Sequence, residues 1–276
     1  MSGILYLVAT PIGNLEDITL RAIKTLENVD IIAAEDTRQT LKLLNHLNIK
    51  KPLISYHRHS DTKKENQLIT FLNSGKNIAL VSDAGTPVIS DPGEEIVKLA
   101  LQNDINIIPI PGACAFINAL IASGLSCKEF AFYGFLSLNK SLRLSTFEDI
   151  KKQNKTIILY EAPHKILKTL DDIKNFFGDI EIVIAKELTK IHETFYRGTI
   201  SEVKELLSPK GEYIILFENH SKTNKEIELE VLNSLSLEDQ YNFYLKKGLE
   251  KKDIIKQIAK NNNVNKNEIY KNFVKK

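Results

Sequence analysis

The stretch Asn77-Ile78-Ala79-Leu80-Val81-Ser82-Asp83-Ala84-Gly85-Thr86-Pro87-Val88-Ile89-Ser90-Asp91-Pro92-Gly93 is an apolar run that empties into a long Gly/Pro loop. Short apolar runs bounded by turn residues read as buried strands. A second instance follows: Ile105-Asn106-Ile107-Ile108-Pro109-Ile110 leads into Pro111-Gly112-Ala113-Cys114-Ala115. In open α/β sheets, ligands bind outside the carboxyl ends of the strands. Glycine in such loops lets the backbone come close to a ligand. An ordinary turn between strand and helix does not need the carboxylates, hydroxyls and prolines that crowd 82–93.

Working outward, apolar runs recur at 4–9, 29–34, 52–55, 77–81, 105–110 and 130–134. Helix-period segments lie between them at 20–26, 40–47, 65–72, 95–101 and 116–121, and Gly124 and Gly134 read as stops. Strands alternating with helices predict a largely parallel sheet covered on both faces. This defines an N-terminal α/β domain over 1–134. A second α/β domain is expected over 135–220, with strands at 156–160, 180–186, 193–198 and 212–217 and helices at 142–151, 164–177 and 201–207. Strands adjacent around 180–198 make its sheet mixed. The join at 135–140 is expected to act as a hinge, and clefts favour such domain interfaces.

A polar linker at 219–226 precedes a third, helical module over 226–276, with helical patterns at 229–235, 237–245, 253–260 and 266–274. The net charge of the chain is only +2, but from Tyr241 onward 10 Lys face 3 acidic residues. Such a basic tail suits a nucleic-acid partner, and a helix, an Asn-rich turn and a basic helix resemble a helix-turn-helix. A solvated helical cap has the same pattern, and both readings stand.

With 276 residues, 43% of them apolar, the chain can bury a sizeable core. No run approaches the roughly 20 apolar residues of a membrane helix. The start Met1-Ser2-Gly3 lacks a basic signal-peptide region. Cys114 and Cys127 fit no zinc spacing and read as reduced thiols of a cytoplasmic protein. No metal site is expected.

Several strand ends carry chemistry. After the first strand, Thr10-Pro11-Ile12-Gly13 has too little glycine for a dinucleotide fingerprint, and a phosphate-binding P-loop is absent. After the second stands Ala34-Glu35-Asp36-Thr37-Arg38, where Asp36 or Thr37 could cap a helix, or Arg38 could hold a phosphate bidentately. Tyr56-His57-Arg58-His59 after the third suits a phosphate backbone or a solvated loop. In the second domain, Tyr160-Glu161-Ala162-Pro163-His164-Lys165 and Lys186-Glu187-Leu188-Thr189-Lys190 end strands. No nucleophile triad is legible, so the chemistry calls for positioning rather than a covalent intermediate.

Taken in order, Val8–Thr19, 34–38, 82–93, Pro111-Gly112, 160–164 and 186–190 closely resemble the small-subunit ribosomal-RNA branch of the tetrapyrrole methylase (class III) superfamily. The resemblance spans essentially the whole chain. It implies two α/β domains with S-adenosylmethionine in the cleft between them, a homodimer, and 2′-O-methylation of cytidine 1402 of 16S rRNA within the small ribosomal subunit. The superfamily's porphyrin enzymes have a glycine-richer first loop and a second loop beginning Gly-Asp-Pro. Thr10-Pro11-Ile12-Gly13 and Ser82-Asp83-Ala84 depart from both, which argues against a porphyrin substrate. Lys165 and Lys186 stand where arginine is more usual; a lysine keeps the charge but loses bidentate geometry.

Carried over by motif, the cofactor contacts are Pro11, Asp83, Ala84, Gly85, Thr86, Val88, Ile89, Ala113, Cys114, Ala115, Tyr160, Glu161, Ala162, Lys186 and Tyr213. A general base near neutral pH would help the transfer, and Glu35, Asp36, His57 and Glu187 are the candidates, with Arg38 holding a phosphate beside the target. Arg58, Lys251, Lys252 and Lys256 are the expected RNA contacts. Three other readings share parts of the pattern: a tetrapyrrole methyltransferase, a non-catalytic RNA-binding module, and diphthine synthesis on a protein substrate.

Overall fold

The computed structural model describes residues 2–57, 62–219, 232–262 and 264–274. Five strands form a first sheet: β1 (Ile4–Val8), β2 (Ile31–Ala34), β3 (Leu53–Ser55), β4 (Ile78–Val81) and β5 (Asn106–Ile110). All pair in parallel, in the order β3-β2-β4-β1-β5. The central strands β2 and β4 are buried at every residue, as a doubly covered parallel sheet demands. Leu5, Ala33 and Leu80 supply the core on one face; Val8, Ile32, Ala79 and Val81 supply it on the other. The connecting helices are α1 (Leu20–Asn28), α2 (Thr37–His46), α3 (Thr62–Asn73) and α4 (Glu94–Gln102), and α5 (Ala115–Ser123) follows β5.

The second sheet contains β6 (Phe130–Phe135), β7 (Lys155–Glu161), β8 (Glu181–Lys186), β9 (Thr194–Thr199) and β10 (Tyr213–Asn219), ordered β6-β7-β10-β8-β9. Only β6–β7 is parallel, so the sheet is mixed. Helices α6 (Lys140–Lys151), α7 (Ile166–Phe177) and α8 (Ile200–Leu206) contribute to a core of Phe147, Ile157, Leu159, Leu170, Ile184, Ile215 and Phe217. Helix α5 covers the other face: Phe116, Ala119 and Leu120 pack with Ile158, Val183, Ala185, Ile214 and Leu216. Its sequence is apolar nearly all round, yet only Phe116, Ala119, Leu120 and Ser123 are buried, and Ile117 and Ile121 stay exposed.

Three sequence expectations change here. The run at 130–134, counted with the first five strands, pairs with β7 in the second sheet, so a boundary at 134/135 cuts through β6. The segment 135–140 therefore links β6 to α6 within the second half and is not the joint between sheets. That joint is 124–129, where Gly124 ends α5 in the left-handed conformation and the Ser126 N–H donates to Glu218 at 2.7 Å. Gly134 is not a stop but part of a bulge between Phe132 and Gly134.

Residues 1–219 form one compact unit and residues from His220 a second. In the second, helices Leu237–Lys246, Lys251–Asn261 and Lys266–Val274 enclose Ile254, Ile255, Ile258 and Ile269 together with Tyr241 and Phe273. The expected helix at 229–235 falls mostly outside the described residues; 232–234 are helical. The Asn-rich turn is specific rather than merely polar. The Asn261 amide donates to the Tyr244 hydroxyl at 2.6 Å, and Asn262 to the buried Gln240 at 2.8 Å. Buried amides of this kind are kept only when paired.

Candidate active site

Three loops meet above the first sheet. Thr10 and Gly85 exchange backbone hydrogen bonds, Thr10 N–H to Gly85 O at 2.9 Å and Gly85 N–H to Thr10 O at 3.1 Å. The Thr86 hydroxyl donates to the Ala113 carbonyl at 3.0 Å. The loops after β1, β4 and β5 are thus one tied unit. They close one side of a cleft of about 390 Å³ whose other side is the edge of the second sheet. That volume falls in the range of small-molecule sites.

Gly85 is the close-approach point. Its φ is +85°, and a Cβ there would lie 3.0 Å from Ile12 Cγ2. From the first half, Ala84, Gly85, Thr86 and Ile89 line the cleft, with Cys114 and Ala115 at the start of α5. From the second half come Tyr160, Glu161, Ala162 and Tyr213. These are ten of the expected cofactor contacts. The other five do not line it. Pro11 is half-buried beside the first loop. The Asp83 carboxylate accepts from the Asp36 N–H at 2.9 Å. Val88 packs into the first core, and Ala113 contributes its carbonyl to Thr86. Lys186 donates to Ser208 at 3.1 Å and lies over the Tyr213 ring.

The polar groups of the cleft have defined states. The Tyr160 hydroxyl accepts from the Phe116 N–H at 3.2 Å, so it satisfies an otherwise unpaired amide in the first turn of α5. Burial, aided by Cys114, pushes Tyr160 far above its usual range, so it stays protonated. Burial also raises the Cys114 thiol, which leaves no activated nucleophile there. Glu161 is buried, and its register opposite Tyr213 puts it on the sheet face of Leu159 and Ile157. Its oxygens accept from the Ala162 N–H at 2.8 Å and from the Thr169 hydroxyl. Arg143 donates in turn to Thr169 at 2.7 Å and pairs with Asp172. Glu161 therefore braces the strand end.

Among the expected catalytic groups, none lines the cleft. Asp36 caps α2: its Oδ1 accepts from the Arg38 N–H at 2.8 Å, while Arg38 Nε and Nη2 grip both oxygens. The capping reading is thus the observed one. The Arg38 side chain and backbone N–H hold Asp36 at about 2, well below the usual carboxylate value. Glu187 has φ 52° and accepts from Lys190 at 3.0 Å and from the Glu212 N–H at 2.9 Å. Burial pushes it up, but those bonds, with the charges of Lys190 and Lys186, outweigh burial and hold it below its usual value. Both carboxylates are thereby weakened as proton acceptors. Glu35 is half-buried at the end of β2 and His57 is exposed after β3. Arg58 lies outside the described residues. Lys251, Lys252 and Lys256 are exposed on the helix that turns Ile254, Ile255 and Ile258 inward.

Residues absent from the expected site also line it: Ile12, Ser90, Asp91, Phe135, Pro163, Ala185, Leu188, Glu212 and Ile214. Ser90 and Asp91 stood in the opening loop, where their signal was legible. Among the described residues no cluster of His, Cys, Asp or Glu could hold a metal ion, and no helix is long and apolar enough to cross a membrane.

The Asp36 cap makes a pH-dependent prediction. A carboxylate lowered from its ordinary value of 3.8 to about 2 adds stability above pH 4 and loses it as pH falls through 2. Asp36→Ala should melt below the wild type at pH 6, and the gap should close between pH 4 and pH 2, while calorimetry shows unchanged cofactor affinity. A gap constant down to pH 2 would remove the ion pair from the account.

The family model for Tetrapyrrole (Corrin/Porphyrin) Methylases matches residues 4–204. The chain is 48% identical over 271 residues to Ribosomal RNA small subunit methyltransferase I of Bacillus subtilis, covering 97% of this chain and 93% of that protein. It is 45% identical to the protein of that name from Synechocystis, covering 97% and 96%. Among solved structures, a diphthine synthase superposes with TM-score 0.66 at 13% identity, covering 82% of this chain and 94% of that one. A Thermus thermophilus uroporphyrin-III C-methyltransferase complexed with S-adenyl homocysteine gives 0.56 at 16%, covering 79% and 98%. At these identities the structural likeness shows the fold, and the sequence likeness shows the rest: the chain belongs to the tetrapyrrole methylases and, within them, to the ribosomal RNA small subunit methyltransferase I family.

Proposed function

We propose that this chain transfers a methyl group from S-adenosylmethionine to the ribose 2′-hydroxyl of cytidine 1402 of 16S rRNA in the small ribosomal subunit. The observation that carries the reading is the near full-length likeness, at 48% identity over 97% of the chain, to a ribosomal RNA small subunit methyltransferase. The cleft is compatible with the cofactor. A glycine at positive φ leaves its wall open at Gly85, and apolar residues line it together with Thr86, Ser90 and Tyr160. Gly85, Thr86, Ala115, Tyr160, Ala162 and Tyr213 would hold the cofactor, whose sulfonium supplies an activated methyl group. The protonated Tyr160, the protonated Cys114 thiol and the braced Glu161 make a rigid wall, which suits a reaction driven by positioning. In this reading the protein works in the cytoplasm as a homodimer, without a metal, and the basic helical module contacts rRNA phosphates.

The test is ribose-methylation mapping of 16S rRNA from a strain lacking this gene and from the same strain carrying it. Loss of the 2′-O-methyl at cytidine 1402, restored by the gene, is the expected result. An unchanged ribose methyl at that position would overturn the substrate assignment.

A further inference from the structure

A bulge decides which way Phe135 points. Along β6, Ala131 pairs with Ile157 and Phe132 with Ile158. Strict alternation would then put Phe135 on the face of Ala131, over the core of Ile157 and Leu159. The register slips between Phe132 and Gly134 instead, and Phe135 falls opposite Tyr160. It thereby joins Phe132 on the face of Tyr160, Ala185 and Ile214, which line the cleft. The slip needs a glycine: Gly134 has φ 62°, and a Cβ there would lie 2.9 Å from Ser90 Oγ. Bulges re-aim side chains beside active sites in this way.

The re-aimed ring is exposed. Among the large apolar side chains around the cleft, Ile12, Leu188 and Ile214 are buried, whereas Phe135 is 59% and Ile89 41% exposed. These two stand at the mouth. Of the aromatic residues described there, Tyr213 is buried and Tyr160 half-buried, so Phe135 is the ring that a ligand arriving from outside meets. The ring is also held. Its centroid lies 5.6 Å from that of Tyr160, which stands 4.9 Å from Phe132, and Phe132 stacks on Phe116 at 4.4 Å. A single exposed apolar residue is ordinary on a protein surface. One delivered by a bulge and seated at the end of a row of rings is built.

The chemistry of the acceptor names the occupant. A ribose 2′-oxygen sits on the carbon next to the one that carries the base. A hydroxyl brought to the methyl donor therefore brings its nucleobase to the mouth of the cleft. Unpaired bases are recognised by stacking on aromatic rings. We propose that Phe135 is the platform on which the target cytosine stacks as its ribose enters the cleft. The inference rests on the ribose reading above.

The test uses the full chain, S-adenosylmethionine and small subunits lacking the modification. Phe135→Leu keeps apolar bulk and removes the ring. It should lower kcat/KM for the subunit by about 5–150-fold, while calorimetric affinity for S-adenosylmethionine stays within about threefold of wild type. Phe135→Tyr, which keeps the ring, should recover most of the loss. A kcat/KM within about threefold of wild type in Phe135→Leu would overturn the proposal. So would a loss matched by lost donor affinity, which would give the ring to the cofactor's adenine. Circular dichroism checks folding. A second measurement needs no variant: subunits reconstituted with an abasic ribose at the target position remove the base instead of the ring. The wild-type protein should methylate them about 5–150-fold less efficiently, and equal efficiency would overturn the proposal. Nucleoside analysis of the wild-type product is a separate readout. A methyl group on a base nitrogen would overturn the ribose reading, whatever the variants do.

Discussion

Gly85→Val is expected to take S-adenosylmethionine binding below detection by calorimetry while the protein still folds. Gly85 adopts φ +85°, and its N–H and C=O are both committed to Thr10. A β-branched side chain cannot sit there without strain of about 1–3 kcal/mol. It would also meet Ile12 Cγ2 at 3.0 Å and the Ala113 carbonyl at 3.5 Å. Because Thr86 is tied to Ala113, a shift at Gly85 moves the loops after β1, β4 and β5 together. Gly85→Ala separates strain from volume: it keeps the strain and the same first contact but adds only one methyl, so affinity should fall less. Melting temperature should drop in both variants, since the strain is present in the free protein too. Wild-type affinity in Gly85→Val would remove this loop from the cofactor site.

Replacing Lys251, Lys252 and Lys256 together by Ala is expected to weaken binding to small-subunit RNA and to flatten its salt dependence. The three lysines are exposed on a helix whose other face packs Ile254, Ile255, Ile258 and Ala259. Lys252, Lys256 and Lys260 recur every fourth residue and form a stripe. Each lysine that no longer neutralises a phosphate should reduce the slope of log affinity against log salt by roughly 0.7–0.9, so the triple replacement removes about two units or slightly more. Cofactor affinity should not change. The substitutions leave the apolar face intact, so the module should stay folded by circular dichroism. An unchanged slope would make this face a solvated cap that does not touch RNA.

How far the chain could be read in advance depended on whether a feature is local. The runs at 31–34 and 78–81 announce themselves because a doubly covered parallel strand must be apolar at every position. The last helix, 266–274, was legible to the residue from its period and the Asn-rich turn before it. The strand at 130–135 was equally visible as a strand, but its sheet was not. Pairing with β7 is set by residues some 25 positions away, and nothing in Phe130–Phe135 itself names its neighbour. The cleft follows the same division. Gly85 and Thr86 sit in a loop whose composition exceeds a turn's needs. Phe135, Leu188 and Glu212 join it only because β6 and β8 end, and β10 begins, at one level of the second sheet. The side-chain direction of Glu161 was hidden as well. Its place at a motif-bearing strand end marks it for the cleft, which it lines, but the motif does not say that the alternation along β7 also sends its carboxylate toward Thr169.

The seat of β6 limits how this chain can be recombined with its relatives. A crossover at 134/135 would pair one parent's β6, with its bulge at Gly134, against the other parent's β7. Splitting the chain there would leave β7 as an open edge along Ile157, Ile158 and Leu159, a template for aggregation. The same cut would take α5 away from the face formed by Val183, Ala185, Ile214 and Leu216. Gene fusions, split reporters and family shuffling should therefore inherit residues 1–219 from a single parent, and the helical module beyond Asn219 is the piece that can be exchanged.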